Sequence, residues 1–524
     1  MRWSFLASRR RPDGQRSLKR RDWRALALAC CAGIASVAGF APLQLWWLAP
    51  CTLGVLFHLW LRAPRRAPWL GFAFGLGLFL VGVHWIYISL HDHGGMPAIL
   101  AAIALLLFSA FCALIPAAAG YLLRVLSTGN VALDALLVAP AAWTLLEWVR
   151  LWLCTGFPWL AMGYSQVAVS PLSGWIPLGG VYLASLLVAL LAGCLVVGWQ
   201  AAARLGSARA GARALALGWA GLVCALTLGG GMLLKGHRWT VPIGVPTSVT
   251  LLQGNIPQDD KFDPAHLGEG LMRYRDLASA STARLIVMPE SSVPLLREDV
   301  PPDYLESLQD IAVRNHGDML IGMFDEPKPG EIHNSMFSLG VAPTQVYRKH
   351  HLVPFGEFIP FSEWVGPLMN AMLNMPIGTQ AAAPLGQGVM HVAGQQVAMD
   401  ICYEDAFGEE IIDALPAATV LVNVSNDAWF GLAVGPEQHL QMAQARALET
   451  GRVMLRATNT GVTAFIDADG HVLQRAPKGV VAHLDGMVQG RRGSTPFVRF
   501  GNTLALALSI AMLGLAWILA RMRR

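Results

Sequence analysis

Apolar residues follow two rhythms along this chain, and the change comes near residue 240. Before it they form long unbroken runs, at 25–40, 46–61, 68–90, 97–126, 132–154, 176–201 and 214–234, with one more at 502–520. About 20 consecutive apolar residues let a helix cross the hydrocarbon of a bilayer, so the pattern predicts an α-helical transmembrane bundle of about eight spans. The first two runs are short and also fit a single re-entrant hairpin. From about 242 to 490 the runs shorten and become β-branched, at 248–252, 285–288, 319–323, 397–402, 419–424 and 453–457, with helical stretches at 302–315 and 437–451. Strands interleaved with helices predict an α/β domain whose sheet is buried on at least one face. The chain therefore divides into a helical membrane part at 1–240, a polar domain at 241–490, and a last span with its tail at 491–524.

Composition agrees with the membrane reading. Hydrophobic residues make up 54% of the 524 positions and charged residues only 14%, against about 25% charged in ordinary soluble domains. The formal charge of +5 is no sign of a nucleic-acid partner, because much of it sits beside apolar runs, in Arg9, Arg10, Arg11, Lys19, Arg20, Arg21, Arg521, Arg523 and Arg524. Basic residues also cluster at 62–66, at Arg124 and at 204–213, whereas the intervening loops 41–45, 91–96 and 155–174 contain no Lys or Arg. By the positive-inside rule this alternation predicts cytoplasmic termini and a polar domain held on the outer face of a bacterial inner membrane. A cleaved signal peptide is a poor reading of the N-terminus, since further apolar runs follow without an obvious small-residue cleavage site.

Seven of the eight cysteines lie in the apolar N-terminal part, which leaves Cys402 alone in the polar domain. No disulfide framework is possible within that domain. Cys402 ends the apolar run 397–402, just as Glu290 follows the run 285–288. Between them lies a basic turn, Tyr347-Arg348-Lys349-His350-His351. Strand ends suit catalytic groups, because the sheet fixes them while the adjoining loop keeps them accessible. A thiol needs a base or a depressed pKa to attack, and a nearby cation stabilises the resulting oxyanion.

These three positions resemble the Glu–Lys–Cys triad of the nitrilase superfamily. Longer strings resemble its membrane-bound branch, the apolipoprotein N-acyltransferase family: Leu252-Gln253-Gly254-Asn255-Ile256-Pro257-Gln258, His351-Leu352-Val353-Pro354-Phe355-Gly356-Glu357, Ser425-Asn426-Asp427-Ala428-Trp429-Phe430-Gly431, Gln438-His439-Leu440-Gln441-Met442-Ala443 and Arg456-Ala457-Thr458-Asn459-Thr460-Gly461-Val462. Glu147-Trp148-Val149-Arg150 and Thr155-Gly156-Phe157-Pro158-Trp159 extend the resemblance into the apolar part. It implies an α-β-β-α sandwich for the polar domain and no metal or organic cofactor. It further implies that Cys402 is the nucleophile, Glu290 the general base and Lys349 the oxyanion stabiliser. Glu357 and Glu404 would be supporting carboxylates, with Tyr403 beside the nucleophile and Trp429 near the substrate. Phe262 stands where the family commonly has Trp, which keeps an aromatic face but loses the indole N–H. The implied reaction moves an acyl chain, from sn-1 of phosphatidylethanolamine, through a thioester to the α-amino group of a diacylglyceryl-modified apolipoprotein.

Plainer readings stand beside each of these. A cysteine ending a strand is by default a small buried hydrophobe, and a Pro-Glu pair after a strand is usually a solvated turn. His350-His351 and His91-Asp92-His93 lack further ligands at zinc spacing. Glu147 and Arg150 share a helix face and are expected to form a structural ion pair. Trp148, Trp152 and Trp159 read as interfacial anchors, and Trp429 with Phe430 as either a lid or part of the core. The same triad also suits a membrane-anchored amidohydrolase, while a transporter or scaffold with a degenerate outer domain is a third reading.

Overall fold

The computed structural model describes residues 20–203, 210–360 and 380–522. Arg9, Arg10, Arg11, Lys19, Arg204, Arg209, Arg523 and Arg524, which bear on orientation, lie outside these. Helices occupy all eight apolar runs. Five of them are long and apolar enough to cross a membrane: Ala98–Leu126, Val131–Val149, Pro171–Ala202, Ala214–Lys235 and Thr503–Arg521. A sixth candidate is the pair Pro64–Gly82 and Trp85–His93, bent by 53°. The remaining two, Trp23–Gly39 and Leu48–Arg62, are shorter. Leu53, Phe57, Trp60, Phe74 and Trp143 are buried where these helices meet.

The polar part contains the strands β1 (Thr240–Pro242), β2 (Thr247–Gln253), β3 (Leu285–Val287), β4 (Asp318–Asp325), β5 (His333–Gly340), β6 (Val346–Arg348) and β7 (Met390–Val392). It continues with β8 (Gln395–Ile401), β9 (Val420–Ser425), β10 (Met454–Thr458), β11 (Ala464–Ile466), β12 (Val472–Arg475), β13 (Ala482–Val488) and β14 (Arg491–Gly493). Among the described residues two six-stranded sheets form, ordered β13-β2-β3-β4-β5-β6 and β12-β11-β10-β9-β8-β7, with β1 and β14 as a separate pair. The strands that lead to Glu290 and Cys402 lie inside the sheets, β3 pairing parallel with β2 and β4 and β8 pairing parallel with β9, whereas β6, which leads to Lys349, is an edge strand.

Alternation along each strand builds the layers. Leu285 and Val287 face the other sheet, meeting a core that includes Val397, Met399, Ile401, Val422 and Val424. Ile286, between them, turns the opposite way toward the helices Pro264–Ala280 and Pro302–Arg314, through Tyr274, Ala278, Leu308 and Ile311. On the far side Ala398, Leu421 and Met454 pack on Leu440, Ala443 and Ala447 of the helix Gly435–Thr450. The result is helix, sheet, sheet, helix.

The polar domain joins the bundle through that last helix and the turn after β8. Tyr403, Ala406, Phe407, Met442, Ala445 and Leu448 belong to the same buried cluster as the apolar helices. Gln438 fastens the junction, with Oε1 accepting from the indoles of Trp159 at 2.7 Å and Trp85 at 3.2 Å, and Nε2 donating to the Gly82 carbonyl at 3.0 Å.

Candidate active site

Each candidate side chain leaves the end of a strand. Cys402 follows β8 with φ of +57°, a left-handed backbone that costs a non-glycine residue about 1–3 kcal/mol and that the surroundings must hold. The holding groups are visible: the Cys402 carbonyl accepts from Asn423 Nδ2 at 3.3 Å and His439 Nε2 at 3.1 Å. Glu290 follows β3 in a tight loop crossed by β4. A Cβ on Gly322 of β4 would come within 2.6 Å of the Pro289 carbonyl oxygen and the Ser291 nitrogen, so glycine permits that approach. Lys349 follows β6, its amide donating to the Asn334 carbonyl at 2.8 Å.

The charged atoms converge. Lys349 Nζ lies 2.7 Å from Glu357 Oε1 and 3.5 Å from Glu290 Oε1, and the lysine side chain is only 1% exposed. Asn334 Nδ2 donates to Glu290 Oε1 at 2.7 Å, while the Asn426 amide donates to Glu290 Oε2 at 2.8 Å. Burial disfavours the Lys349 ammonium, yet the Glu357 and Glu290 carboxylates outweigh it and raise the lysine above its ordinary range. Cys402 feels both neighbours. Burial pushes its thiol well up, the Glu290 charge pushes the same way, and Lys349 opposes them. Burial and the Glu290 charge both favour the protonated thiol, and a thiol so placed would need a base to act as a nucleophile.

Glu404 ties the lysine turn to the cysteine turn. Its Oε1 accepts from the amides of His350 at 2.6 Å and His351 at 3.1 Å, and its Oε2 from Ile401 N at 2.6 Å and the Tyr347 hydroxyl at 3.0 Å. Burial raises its pKa, while Lys349 and these amides act against the rise. Glu357 plays the same part for the following turn, its Oε2 accepting from Val353 N at 2.8 Å. The Tyr403 hydroxyl donates to the Gly156 carbonyl at 2.9 Å, reaching into the membrane part.

The family model described as apolipoprotein N-acyltransferase N-terminal domain matches residues 32–194, and that described as carbon-nitrogen hydrolase matches 248–488. The apolipoprotein N-acyltransferase of Nitrosomonas europaea is 47% identical over 498 residues, covering 94% of this chain and 97% of that protein. Those of Chromobacterium violaceum and Ralstonia nicotianae are 42% and 43% identical, each match covering 95% of this chain and 94% of the relative. The chain belongs to the apolipoprotein N-acyltransferase family. It is thus an enzyme of the nitrilase superfamily, with apolar helices preceding and following its nitrilase-like domain.

Trp429 and Phe262 stand at the margin of the cluster. Trp429 is half-buried, stacks edge-on to His93 at 6.2 Å, and its carbonyl accepts from Ser89 Oγ at 2.7 Å. Phe430 packs against Trp85 at 4.3 Å between ring centroids. Phe262 is 47% exposed and meets Phe324 at 6.5 Å.

Two expectations for the apolar part are corrected. Trp159 is no interfacial anchor: it is 1% exposed, bonded to Gln438 and stacked 6.4 Å from Tyr403. Glu147 and Arg150 share no ion pair. Glu147 accepts from the Met162 amide at 2.9 Å, and Arg150 donates to the carbonyls of Phe157 and Trp159. Nearby backbone groups thus took both partners.

The structure also brings in residues that sequence reasoning passed over. Lys261, 5% exposed, donates to the Glu290 carbonyl at 3.0 Å. Burial lowers its pKa to about 8, against the pull of Glu290 and Cys402. His439 lies behind Cys402, 2.8 Å from Asp427 and 3.0 Å from Asp405, and Arg456 bridges the same two carboxylates at 3.0 Å each. Burial and the Arg456 charge oppose the imidazolium, but Asp405 and Asp427 raise it to about 9. His439, Asp427 and Arg456 all lay within quoted family strings, and that was their available signal. The histidine pairs are engaged elsewhere: His350 with the Ala383 carbonyl, His351 with Glu410 and the Thr155 carbonyl, and His93 with Asp259.

Proposed function

We propose that Cys402 carries an acyl chain as a thioester between a membrane phospholipid and the α-amino group of a diacylglyceryl-modified apolipoprotein. The observation that carries this reading is the buried convergence of Glu290, Lys349 and Glu357, with Cys402 at the end of β8 and the turn after it, through Tyr403, Ala406 and Phe407, packed into the apolar bundle. Glu290 takes the thiol proton as sulfur attacks the donor ester, from sn-1 of phosphatidylethanolamine. Lys349, with a backbone N–H beside Cys402, stabilises the tetrahedral oxyanion. Glu290 returns the thiol proton to the glycerol oxygen as lysophospholipid leaves; the amine then attacks the thioester, Glu290 accepts the amine proton and passes it to the departing sulfur, and the thiol is regenerated. One difficult transfer becomes two easier ones with ping-pong kinetics. Holding both substrates in the bilayer surface lends the reaction proximity.

Glu357 and Glu404 hold Lys349 and its turn in place, Tyr403 fixes the nucleophile turn to the bundle, and Trp429 and Phe262 border the substrate. The division into 1–240, 241–490 and 491–524, eight crossings, cytoplasmic termini and a periplasmic catalytic domain complete the proposal, supported by the basic-loop alternation. The test is N-acylation of a diacylglyceryl peptide by the full-length enzyme. Cys402→Ala is expected to abolish it and Glu290→Gln to lower it about 10²–10⁴-fold. Activity near wild type in Cys402→Ala contradicts the reading.

A further inference from the structure

At the opposite edge of the domain junction lies a cavity of about 250 Å³. It is bounded by Gly174 and Pro177 before and within one membrane helix, by Lys235, His237, Arg238 and Trp239 where another ends, and by Arg491 and His471 of the polar domain. Its cations have few counter-charges. Among the described residues Lys235, Arg238 and Arg491 form no ion pair with a carboxylate, and Asp469 is the single acid on the wall. Asp467, just outside it, lies 3.5 Å from His471.

Lys235 and Arg491 are held by neutral oxygens instead. Lys235 Nζ donates to the Ala168 carbonyl at 3.1 Å. Arg491 donates through Nε to Thr240 Oγ1 at 2.8 Å and through Nη2 to the Thr240 carbonyl at 2.7 Å. Behind it the buried Arg452 donates only to carbonyls, of Ala418, Thr450, Pro416 and Gly493. Burial and the Arg491 charge lower Arg452 to about 10. Two neighbouring guanidiniums without a carboxylate leave a local positive excess that an anion relieves. The Trp239 indole N–H is buried without a partner among the described residues. The sequence sharpens the point. In the proposed orientation the loops 41–45, 91–96 and 155–174 face outward without a Lys or Arg, whereas 235–238 carries both.

We propose that this cavity binds a phosphate ester, the head group of a membrane phospholipid, at a site separate from Cys402. Lys235, Arg238 and Arg491 supply the charge-assisted donors, and the Trp239 indole supplies a neutral one. The inference rests on the outward-facing orientation. Its test is native mass spectrometry of the full-length protein in detergent with added phosphatidylglycerol, with acylation of Cys402 read from the same samples. The wild type is expected to hold a lipid that the Lys235→Gln/Arg238→Gln double variant holds about tenfold more weakly, with Arg238→Lys retaining most binding. Persistence against excess inorganic phosphate assigns the site to lipid, and displacement by it assigns the same anion chemistry to free phosphate. Equal lipid binding in wild type and double variant, or none in either, overturns the proposal. Cys402 acylation without the head-group adduct leaves the acyl-transfer reading standing, and the converse result separates the two failures.

Discussion

The indole N–H of Trp159, in the apolar part, donates 2.7 Å to the side chain of Gln438, in the helix of the polar domain that also carries His439. Trp159 stacks in turn on Tyr403, next to Cys402. The apolar bundle and the turn that carries Cys402 are thus one packed unit. Trp159→Phe removes the shorter of the two indole donors to Gln438 Oε1 and leaves that of Trp85, so it is expected to cost about 0.5–1.5 kcal/mol, and Trp159→Ala about 3–5 kcal/mol through the cavity. Thermal melting in detergent checks the order, with Ala lower than Phe.

His439 gives the account a pH signature. Its folded pKa of about 9 lies above the ordinary 6.5, so its stabilisation is complete below about 6.5 and is lost as pH rises through about 9. The wild-type melting temperature, relative to that of His439→Gln, is expected to fall across this window. His439→Ala also removes one of two cations facing Asp405 and Asp427, and is expected to cost about 3–5 kcal/mol. A pH-independent difference between wild type and His439→Gln contradicts the charged imidazole.

Lys261 has the opposite sign. Its folded pKa of about 8 lies below 10.5, so the cost of burying its charge is complete below about 8 and is relieved as pH rises toward 10.5. Against Lys261→Met, the wild type gains stability over that window. The same substitution removes the donor to the Glu290 carbonyl and a cation near Cys402, so kcat is expected to fall about tenfold or more with KM little changed. An unchanged kcat contradicts a role for Lys261 in holding Glu290.

Phe262 tests the family's aromatic position. Half-exposed beside Phe324, it tolerates Trp in this reading, whereas Phe262→Ala raises KM for the lipid substrate several-fold and leaves stability within about 0.5 kcal/mol. A steady-state comparison of the two variants decides it.

Much of this arrangement was legible in the chain, for identifiable reasons. Apolar helices and central strands show in the length and period of apolar runs, and Glu290, Lys349 and Cys402 sit at strand ends with recognisable neighbours. The helix Gly435–Thr450 was located from its sequence, but not its surroundings. Its Gln438, His439, Gln441, Gln444, Arg446 and Glu449 are polar, yet all are buried, because sheet and bundle clamp it from both sides. Partners such as Asp405 and Arg456 lie 34 and 17 residues from His439 in the chain, beyond any local periodicity. The outer strands β5, β6, β7, β11, β12 and β13 escaped because their apolar runs are short or mixed. Lys261 was read only as the neighbour of Phe262, since nothing in its sequence context signals burial.

The central claim is that sulfur, and no other atom, holds the acyl chain. Intact-mass spectrometry of the full-length protein incubated with phospholipid and no acceptor tests it most directly. The account predicts one added fatty-acyl mass, mapped to Cys402 and released by hydroxylamine or by the amine substrate. An acyl group on Glu290 or Lys349, or an unmodified Cys402 in enzyme that still N-acylates its acceptor, contradicts it.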